Sequence, residues 1–265
     1  IRVVSCYADI VAMRHPKEGA PFRASRYSRI PVINAGDGGH QHPTQTMTDL
    51  MTIRRRMGRL DNLTIGLCGD LKNGRTVHSL IKTMCRFQGN SFVLISTPEL
   101  TVPDYLRNIM DEAGCSYTFC DNLNDAIGMI DVLYMTRIQR ERFESQEAYE
   151  AQKGVFVLDM NKLKHAKYGL KILHPLPRVD EIAVEVDDDP RAVYFDQTEY
   201  GMYARMALLT DLANQEREKP EPVEIGVKPV CSNPNCITQT EHYLPPLVKQ
   251  NGGVDCCAFC DAQLR

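Results

Sequence analysis

Residues 63–70 read LTIGLCGD, an apolar run that ends in a glycine and an aspartate. A run of this length and composition, followed from residue 75 by a helix-like segment, is typical of a strand buried on both faces of a sheet. Apolar runs and amphipathic stretches continue to alternate as far as residue 195. Because strands separated by helices form βαβ units, the sequence predicts an α/β fold with a mostly parallel sheet covered on both faces.

The same pattern gives the individual elements. Strands are predicted at residues 63–68, 91–95, 117–119, 131–135, 155–158 and 171–173, and helices at 75–87, 103–113 and 200–213. On the last helix, Met202, Met206 and Leu209 share one face at helical spacing, which predicts that this face packs in the core. At the start of the chain, residues 1–4 have the composition of a core strand and not of a signal peptide.

Composition excludes several classes of protein. The chain has 265 residues, of which 43% are hydrophobic and 25% charged, as in ordinary globular proteins. A net charge of −3 and a pI near 6.2 argue against a globally basic nucleic-acid binder. No apolar window approaches the roughly 18 residues of a membrane helix, so we expect no membrane partner.

The ten cysteines form two populations. Five are scattered through the first 120 residues, and five lie within the last 35. This combination indicates a reducing compartment, and it predicts a cytoplasmic location and a metal site in preference to disulfides.

The C-terminal cysteines form two pairs with metal-ligand spacing. Cys231 and Cys236 make the first pair, and Cys257 and Cys260 make the second, while Cys256 does not fit the spacing. Four thiolates can close a tetrahedral site around Zn²⁺, and a domain of roughly 40 residues needs such a staple because its core is small. A structural zinc is therefore predicted, with an iron site of the rubredoxin kind or disulfides as alternatives.

Polar residues follow several of the predicted strands, at 70–75, 136–139 and 174–178. In parallel sheets, ligands bind at the carboxyl ends of the strands. These segments supply arginine, histidine and glutamine, but no nucleotide-binding glycine motif and no evident nucleophile–base pair. Such a set suits group transfer between two anionic substrates, where positioning and oxyanion stabilisation supply the catalysis.

Four segments carry a more specific resemblance. They read NAGDGGHQHPTQ at 34–45, GDLKNGRTVHSL at 69–80, YMTRIQ at 134–139 and HPLPRVDE at 174–181. In this order they resemble successive signatures of the aspartate carbamoyltransferase catalytic chain, over residues 1 to about 213. The cysteine pairs resemble the zinc domain of that enzyme's regulatory chain. The resemblance implies a carbamoyltransferase-like doubly wound parallel sheet, fused to a small four-cysteine zinc domain.

The resemblance also implies a reaction in pyrimidine synthesis, in which the amine of L-aspartate attacks carbamoyl phosphate and releases phosphate. By motif, Arg14 would contact the phosphate and the carbonyl oxygen, and His42 would donate to that oxygen. Gln45, with backbone carbonyls around Leu176, would hold the carbamoyl NH2. The peptide between Leu176 and Pro177 is expected to be cis.

The resemblance assigns the aspartate site to three further residues. Arg75 would take the α-carboxylate of aspartate, and Arg137 with Gln139 would take the β-carboxylate. This agrees with the chemistry, because a dicarboxylate calls for fork-shaped cations that pair bidentately.

The implied organisation has four parts. Residues 1–43 are predicted to be the remainder of the carbamoyl phosphate domain, to which the helix at 200–213 returns. Residues 44–199 form the aspartate domain, 214–230 a charged, proline-containing linker, and 231–265 the zinc domain. The expected assembly is a homo-oligomer of catalytic trimers, paired through zinc domains.

Two departures keep other hypotheses open. The family's Ser-Thr-Arg-Thr segment and its loop lysine do not occur in these residues, so we expect an N-terminally incomplete copy that is inactive alone. One alternative is another carbamoyltransferase, such as one for ornithine, although Arg137 would be a poor partner for a cationic side chain. The other is a non-catalytic scaffold with a zinc assembly module.

Overall fold

The computed structural model describes residues 1–138, 140, 143, 145–215, 224–225, 231–251 and 254–264. The chain divides into two compact units. The sheet unit comprises residues 45–204, and the terminal unit comprises residues 1–44 and 205–265. Most of the predicted linker at 214–230 lies outside the described residues.

The secondary structure follows the alternation expected of an α/β chain. In chain order the elements are β1 (Val11–His15), α1 (Ala20–Tyr27), β2 (Val32–Asp37), α2 (Pro43–Met57), β3 (Thr64–Cys68), α3 (Arg75–Met84), β4 (Ser91–Ile95), α4 (Asp104–Glu112), β5 (Ser116–Cys120), α5 (Leu123–Ala126), β6 (Val132–Met135), α6 (Gln146–Glu150), α7 (Met160–Leu163), β7 (Lys171–Leu173), α8 (Tyr194–Asn214), β8 (Glu224–Ile225), β9 (Leu247–Asn251) and β10 (Val254–Cys257). Short 3-10 turns lie at Val4–Cys6, Pro98–Leu100, Ile127–Met129, Val184–Asp188 and Ile237–Gln239.

The sheet unit contains a parallel five-stranded sheet in the order β5-β4-β3-β6-β7. From β3 the chain adds β4 and β5 on one side, and then returns to add β6 and β7 on the other. The strand order therefore reverses between β3 and β6, which makes their carboxyl ends the topological switch point of the sheet.

Both faces are buried along β3, β4, β6 and β7, as the continuous apolar runs predicted, whereas the edge strand β5 is largely exposed. On β4, Phe92 and Leu94 pack in one apolar cluster, whereas Val93 and Ile95 pack in a second. Because successive side chains of a strand point to opposite faces, a strand that is covered on both sides needs apolar residues at every position. The predicted parallel α/β architecture is confirmed.

One buried side-chain amide joins three segments of the chain at the amino ends of β3 and β4. Asn90 lies just before β4, and its Oδ1 accepts the backbone N–H of Leu63 at 2.9 Å. Its Nδ2 donates to the carbonyls of Leu60 at 2.9 Å and Met84 at 3.0 Å. These backbone groups lie before β3 and at the end of α3, where the strand ladder offers them no partner. The Asn90 side chain therefore satisfies them.

The terminal unit contains a parallel pair, β1 and β2, and an antiparallel sheet in the order β10-β9-β8. A third apolar cluster joins α1 to the C-terminal segment, and it includes Ala20, Cys236, Ile237 and Phe259. The rings of Phe22 and Phe259 meet edge to face, with centroids 5.7 Å apart.

Two predicted strands are wrong. Residues 1–4 lead into a 3-10 turn and are exposed, because the N–H of Ser5 bonds locally to the carbonyl of Ile1 and not to a neighbouring strand. Within residues 155–158, only Leu158 forms a bridge, to Ile182. Leu158 is fully buried, although residues 155–157 form no strand pairing. Apolar composition therefore predicted burial there but not strand pairing.

The predicted core face of the last helix is also wrong. Met202, Met206 and Leu209 are all exposed. Helix α8 begins earlier than predicted, at Tyr194, and its buried residues are Tyr194, Gln197, Gly201 and Ala204. These also recur at helical spacing, so periodicity identified residues that share a face but not the face that meets the core. None of the described helices is long and apolar enough to cross a membrane.

We expect Asn90→Ala to lower the free energy of unfolding by about 2–4 kcal/mol, because it removes three hydrogen bonds and leaves buried backbone groups unsatisfied. The matched control is Asn108→Ala, at an exposed position on α4, where alanine is a good helix former. Urea unfolding followed by circular dichroism measures both. Equal free energies of unfolding for the two variants would show that the hydrogen bonds of the Asn90 side chain contribute nothing to stability.

Candidate active site and four-cysteine module

The loops that follow β3 and β6 are held together at the switch point. Gly69 has φ +117°, and a Cβ at this position would lie 2.4 Å from the carbonyl oxygen of Thr136. The N–H of Asp70 donates to Thr136 Oγ1 at 3.1 Å, and this hydroxyl donates to the carbonyl of Cys68 at 3.1 Å. Only glycine permits this approach, so the LCGD sequence at the strand end serves strand packing as well as loop shape.

A buried aspartate shapes the turn that leads into α3. Asp70 is 1% exposed, and its Oδ1 accepts the N–H of Asn73 at 2.9 Å. The turn is also supported by buried His78, whose Nε2 lies 2.9 Å from the carbonyl oxygen of Leu71. Arg75 is the first residue of α3 and is half-buried. Its position is therefore fixed by a hydrogen-bonded turn and not by a free loop.

The second predicted arginine follows the neighbouring strand. Arg137 lies just beyond Met135, the last residue of β6, and is half-buried. Because β3 and β6 are adjacent and parallel, Arg75 and Arg137 follow two neighbouring strands at the same edge of the sheet. Gln139, predicted to act with Arg137, lies outside the described residues.

The loop after β7 has an unusual backbone that is fixed by a buried histidine. Leu176 has φ +46°, and the Leu176–Pro177 peptide is cis, as expected. The N–H of Leu176 donates to His174 Nδ1 at 2.8 Å, and His174 Nε2 lies 2.7 Å from Glu181 Oε1. Because Nδ1 accepts a hydrogen bond, Nε2 carries the proton and donates to Glu181. No role was predicted for His174, which holds this loop.

Glu181 holds the histidine in turn. Its second oxygen accepts the N–H groups of Val179 and Asp180, each at 3.1 Å. Burial alone would raise the pKa of Glu181, but the hydrogen bonds from His174 and from the backbone outweigh it and hold the pKa below its usual value. The loop at 174–181 is therefore organised around a carboxylate that stays ionised at neutral pH.

Gln45 belongs to a buried network that sequence reasoning missed. It lies on α2, and its Nε2 donates to Asp49 Oδ1 at 2.8 Å. The same oxygen accepts from Gln197 Nε2 at 2.7 Å. The helical i, i+4 spacing of Gln45 and Asp49 is readable in the sequence, whereas Gln197 is 148 residues from Asp49 and leaves no such signal.

The remaining two predicted catalytic residues lie in the terminal unit. Arg14 is an exposed residue of β1. His42 directly precedes α2, and its Nδ1 lies 3.5 Å from Thr44 Oγ1. A proline at the first position of α2 fixes the direction in which the helix leaves this histidine.

A charged histidine anchors the segment before His42. His40 Nδ1 lies 2.9 Å from Asp37 Oδ2, and its Nε2 lies 3.0 Å from Asp261 Oδ2. Gln41 Nε2 donates to the same Asp261 oxygen at 3.2 Å. Burial by itself lowers the pKa of His40, but the hydrogen bonds and charges of the two aspartates outweigh it and raise the pKa to about 9. The imidazole is therefore positively charged between two carboxylates.

The four predicted cysteines lie together in a four-cysteine module, residues 231–264. All four side chains are buried, and their sulfur atoms lie within 4.8 Å of one another. Cys231 Sγ is 3.5 Å from Cys260 Sγ, and Cys236 Sγ is 3.9 Å from Cys257 Sγ. A tetrahedral site with Zn–S bonds near 2.3 Å requires separations of about 3.8 Å, so the cluster fits such an ion.

One thiol in this cluster favours negative charge. Hydrogen bonds from Cys257 and Cys260 hold the pKa of the Cys236 thiol well below its usual value, and the same contacts raise the pKa values of Cys257 and Cys260. Cys256 is buried nearby but does not belong to the cluster, as its spacing predicted. A thiolate is the form that ligates a metal ion.

The four-cysteine module packs on the segment between β1 and α1. The N–H of Glu18 donates to the carbonyl of Asn235, and the N–H of Ile237 donates to the carbonyl of Glu18, both at 2.9 Å. Asn233 Nδ2 donates to the Glu18 carboxylate at 2.7 Å. A Cβ on Gly19, which has φ +82°, would lie 2.6 Å from Phe259. This close contact requires glycine and makes the module part of the terminal unit.

Comparison with known families covers most of the chain. The family model described as "Aspartate/ornithine carbamoyltransferase, Asp/Orn binding domain" matches residues 61–212. The model of the same family's carbamoyl-P binding domain matches residues 1–55. The matched residues end before the four-cysteine module begins.

Curated relatives are about 60% identical to this chain over the aligned residues. The aspartate carbamoyltransferase catalytic subunit of Lachnoclostridium phytofermentans is 61% identical over 215 residues, which are 81% of this chain and 70% of the relative. That of Clostridium acetobutylicum is 62% identical over 213 residues, 80% of this chain and 69% of the relative.

Solved structures show the same fold. The catalytic subunit of the M. jannaschii aspartate transcarbamoylase aligns with a TM-score of 0.74 at 46% identity, over 80% of this chain and 68% of that chain. Aspartate transcarbamoylase from Trypanosoma cruzi in complex with carbamoyl phosphate and aspartate aligns with a TM-score of 0.73 at 38% identity, over 78% and 68%. These matches confirm the predicted fold and enzyme class. The chain therefore belongs to the aspartate/ornithine carbamoyltransferase family.

Proposed function

We propose that this chain transfers the carbamoyl group of carbamoyl phosphate to the amine of L-aspartate, giving N-carbamoyl-L-aspartate and phosphate. The observation that carries the proposal is the pair of arginines, Arg75 and Arg137, which follow adjacent strands at the switch point. Relatives more than 60% identical that are named for this activity support it.

Aspartate recognition is assigned to the sheet unit. Arg75 takes the α-carboxylate, and Arg137 takes the β-carboxylate, with Gln139 as its partner. A guanidinium presents parallel N–H groups to both oxygens of a carboxylate, and it holds the substrate in one orientation. The hydrogen-bonded turn before Arg75 supports this role, because a preorganised cation loses little freedom on binding.

Carbamoyl phosphate is assigned to Arg14, His42, Gln45 and the backbone around Leu176 and Pro177. The aspartate amine attacks the carbonyl carbon, the bond from this carbon to the phosphate oxygen breaks, and the proton that the amine loses passes to the departing phosphate. Negative charge develops on the carbonyl oxygen, where donors from Arg14 and His42 stabilise it. The reaction needs no nucleophile from the protein, which is consistent with the residue types present.

We expect the complete protein from its natural source to carbamoylate aspartate and not ornithine. Arg137→Lys keeps the charge but loses the bidentate contact, so the KM for aspartate should rise about tenfold or more. The KM for carbamoyl phosphate should change less than about twofold, because this residue does not touch that substrate. Steady-state kinetics with each substrate varied in turn measures both constants.

The matched control is Arg55→Lys on the exposed face of α2, which should leave both constants unchanged. A preference for ornithine would favour the alternative carbamoyltransferase. Failure of the intact protein to bind either carbamoyl phosphate or aspartate would favour the scaffold hypothesis.

We further propose that Cys231, Cys236, Cys257 and Cys260 hold a structural zinc ion. When bound, the ion supplies four fixed bonds that stabilise a segment with little core of its own. The likeness to a regulatory-chain domain, the pairing of catalytic trimers through this module and the cytoplasmic location are proposed from the sequence. The local spacing and the buried thiol cluster support the metal site.

Replacement of single cysteines should distinguish the four proposed zinc ligands from the neighbouring Cys256. Cys257→Ser is expected to lower the zinc content from one ion per chain to near zero, because three thiolates bind the ion far more weakly. Cys256→Ser is the matched control and should keep the full zinc content. Elemental analysis of the purified variants measures this. Loss of zinc from Cys256→Ser with retention in Cys257→Ser would overturn the assignment.

A further inference from the structure

A chain of buried hydrogen bonds runs through the sheet unit behind Gln45. Asp49 is fully buried and Gln197 is 1% exposed. Asp49 Oδ1 accepts from Gln45 Nε2 at 2.8 Å and from Gln197 Nε2 at 2.7 Å. Gln197 Oε1 accepts the backbone N–H of His174 at 2.9 Å. The network therefore links the side chain of Gln45 to the loop that contains Leu176.

The chemistry of the partners fixes how each amide is oriented. Two NH2 groups meet on Asp49 Oδ1, which accepts both, so the carbonyl oxygen of Gln45 is directed away from Asp49. A backbone N–H only donates, so the oxygen of Gln197 must face His174 and its NH2 must face Asp49. Rotation of either amide by 180° would bring two donors or two acceptors together.

This arrangement has a cost that packing alone does not explain. A fully buried carboxylate is costly to desolvate, and an apolar side chain at this point of α2 would avoid the cost. The hydroxyl of Tyr134 also lies near Asp49, and complete burial together with the Asp49 charge raises the pKa of Tyr134 well above its usual value. The core beside Gln45 is thus built around one carboxylate.

We infer that Asp49 and Gln197 are positioning residues for recognition of the carbamoyl NH2. Asp49 holds the Gln45 amide with its oxygen toward the substrate NH2, and Gln197 keeps the 174–177 loop in register so that its carbonyls accept the other N–H. This inference rests on the proposed function, and it adds a reason why the site selects carbamoyl phosphate over other acyl phosphates. A site that accepts two N–H groups rejects acyl phosphates that lack them, because its buried acceptors are left unpaired.

The first test uses Asp49→Leu, which removes the hydrogen-bond acceptor at this point of α2 and lets the Gln45 amide rotate. The kcat/KM for carbamoyl phosphate should fall about tenfold or more, which is the loss of one well-placed hydrogen bond. Acetyl phosphate carries a methyl group in place of the NH2, so its inhibition constant should change less than about threefold. The KM for aspartate should also stay within about threefold. Equal losses for both acyl phosphates would overturn the inference.

The second test reverses the polarity of the network. Gln197→Glu alone places a second carboxylate against Asp49, and the kcat/KM for carbamoyl phosphate should fall at least tenfold. In the double variant Asp49→Asn with Gln197→Glu, the NH2 group introduced on α2 takes the place of Oδ1 and donates to the carboxylate introduced on α8, which still accepts from His174. The same NH2 group donates to the oxygen of Gln45, so the Gln45 amide turns its own NH2 toward the substrate. The free energy of unfolding should therefore recover to near the wild-type value, whereas the kcat/KM for carbamoyl phosphate should stay at least tenfold below it. Recovery of the full kcat/KM in the double variant would contradict the proposed role.

Controls separate this inference from the function on which it rests. Asp111→Asn, at an exposed position of α4, is the matched control and should leave all constants unchanged. Circular dichroism checks folding, and the double variant, in which every hydrogen bond of the network has a partner, keeps the test decisive if Asp49→Leu is unstable. A complete wild-type protein from its natural source that shows no carbamoyl transfer would overturn both proposals. An active complete protein whose Asp49→Leu variant keeps full selectivity would overturn this inference alone.

Discussion

The parallel pairing of β3 with β6 is the constraint on which the sheet unit depends. It joins two strands that are far apart in the chain and reverses the strand order between them. The carboxyl ends then approach so closely that residue 69 must be glycine. Hydrogen bonds from Asp70 and Thr136 close the remaining gap. Two arginines at one sheet edge are a consequence of this pairing, because each belongs to the loop that follows one of the paired strands.

Around this edge, buried carboxylates that can only accept hydrogen bonds fix the orientation of neighbouring polar side chains. Glu181 accepts from His174, which sets the tautomer of the imidazole and lets Nδ1 accept the N–H of Leu176. Asp49 has the same relation to Gln45. In both cases a buried carboxylate determines the direction of a second polar group. Burial makes this effective, because an unmatched donor or acceptor in a low-dielectric interior is costly and alternative orientations are therefore excluded.

Much of the sheet unit was predictable, because strands covered on both faces must be largely apolar, and β3, β4 and β6 are. Two of the failures share one physical cause. Composition shows which residues avoid water but not which surface covers them, so it wrongly predicts that one face of α8 and residues 1–4 lie in the core. The strand ends identified Arg75 and Arg137. Gln197 was not predictable, since only the folded chain brings it to Asp49.

The four-cysteine module shows the same division between local and distant information. Ligand spacing is local, so the sequence identified the cluster and excluded Cys256. The surface that the module covers is not local, because Glu18 and Asn233 are 215 residues apart. Asp261 follows Cys260 directly and pairs with His40, which itself shortly precedes His42. The contacts of Asp261 with His40 and Gln41 therefore join the four-cysteine module to the segment that leads to His42. The cysteine spacing gives no sign of this contact, because only the folded chain brings Asp261 to the end of β2.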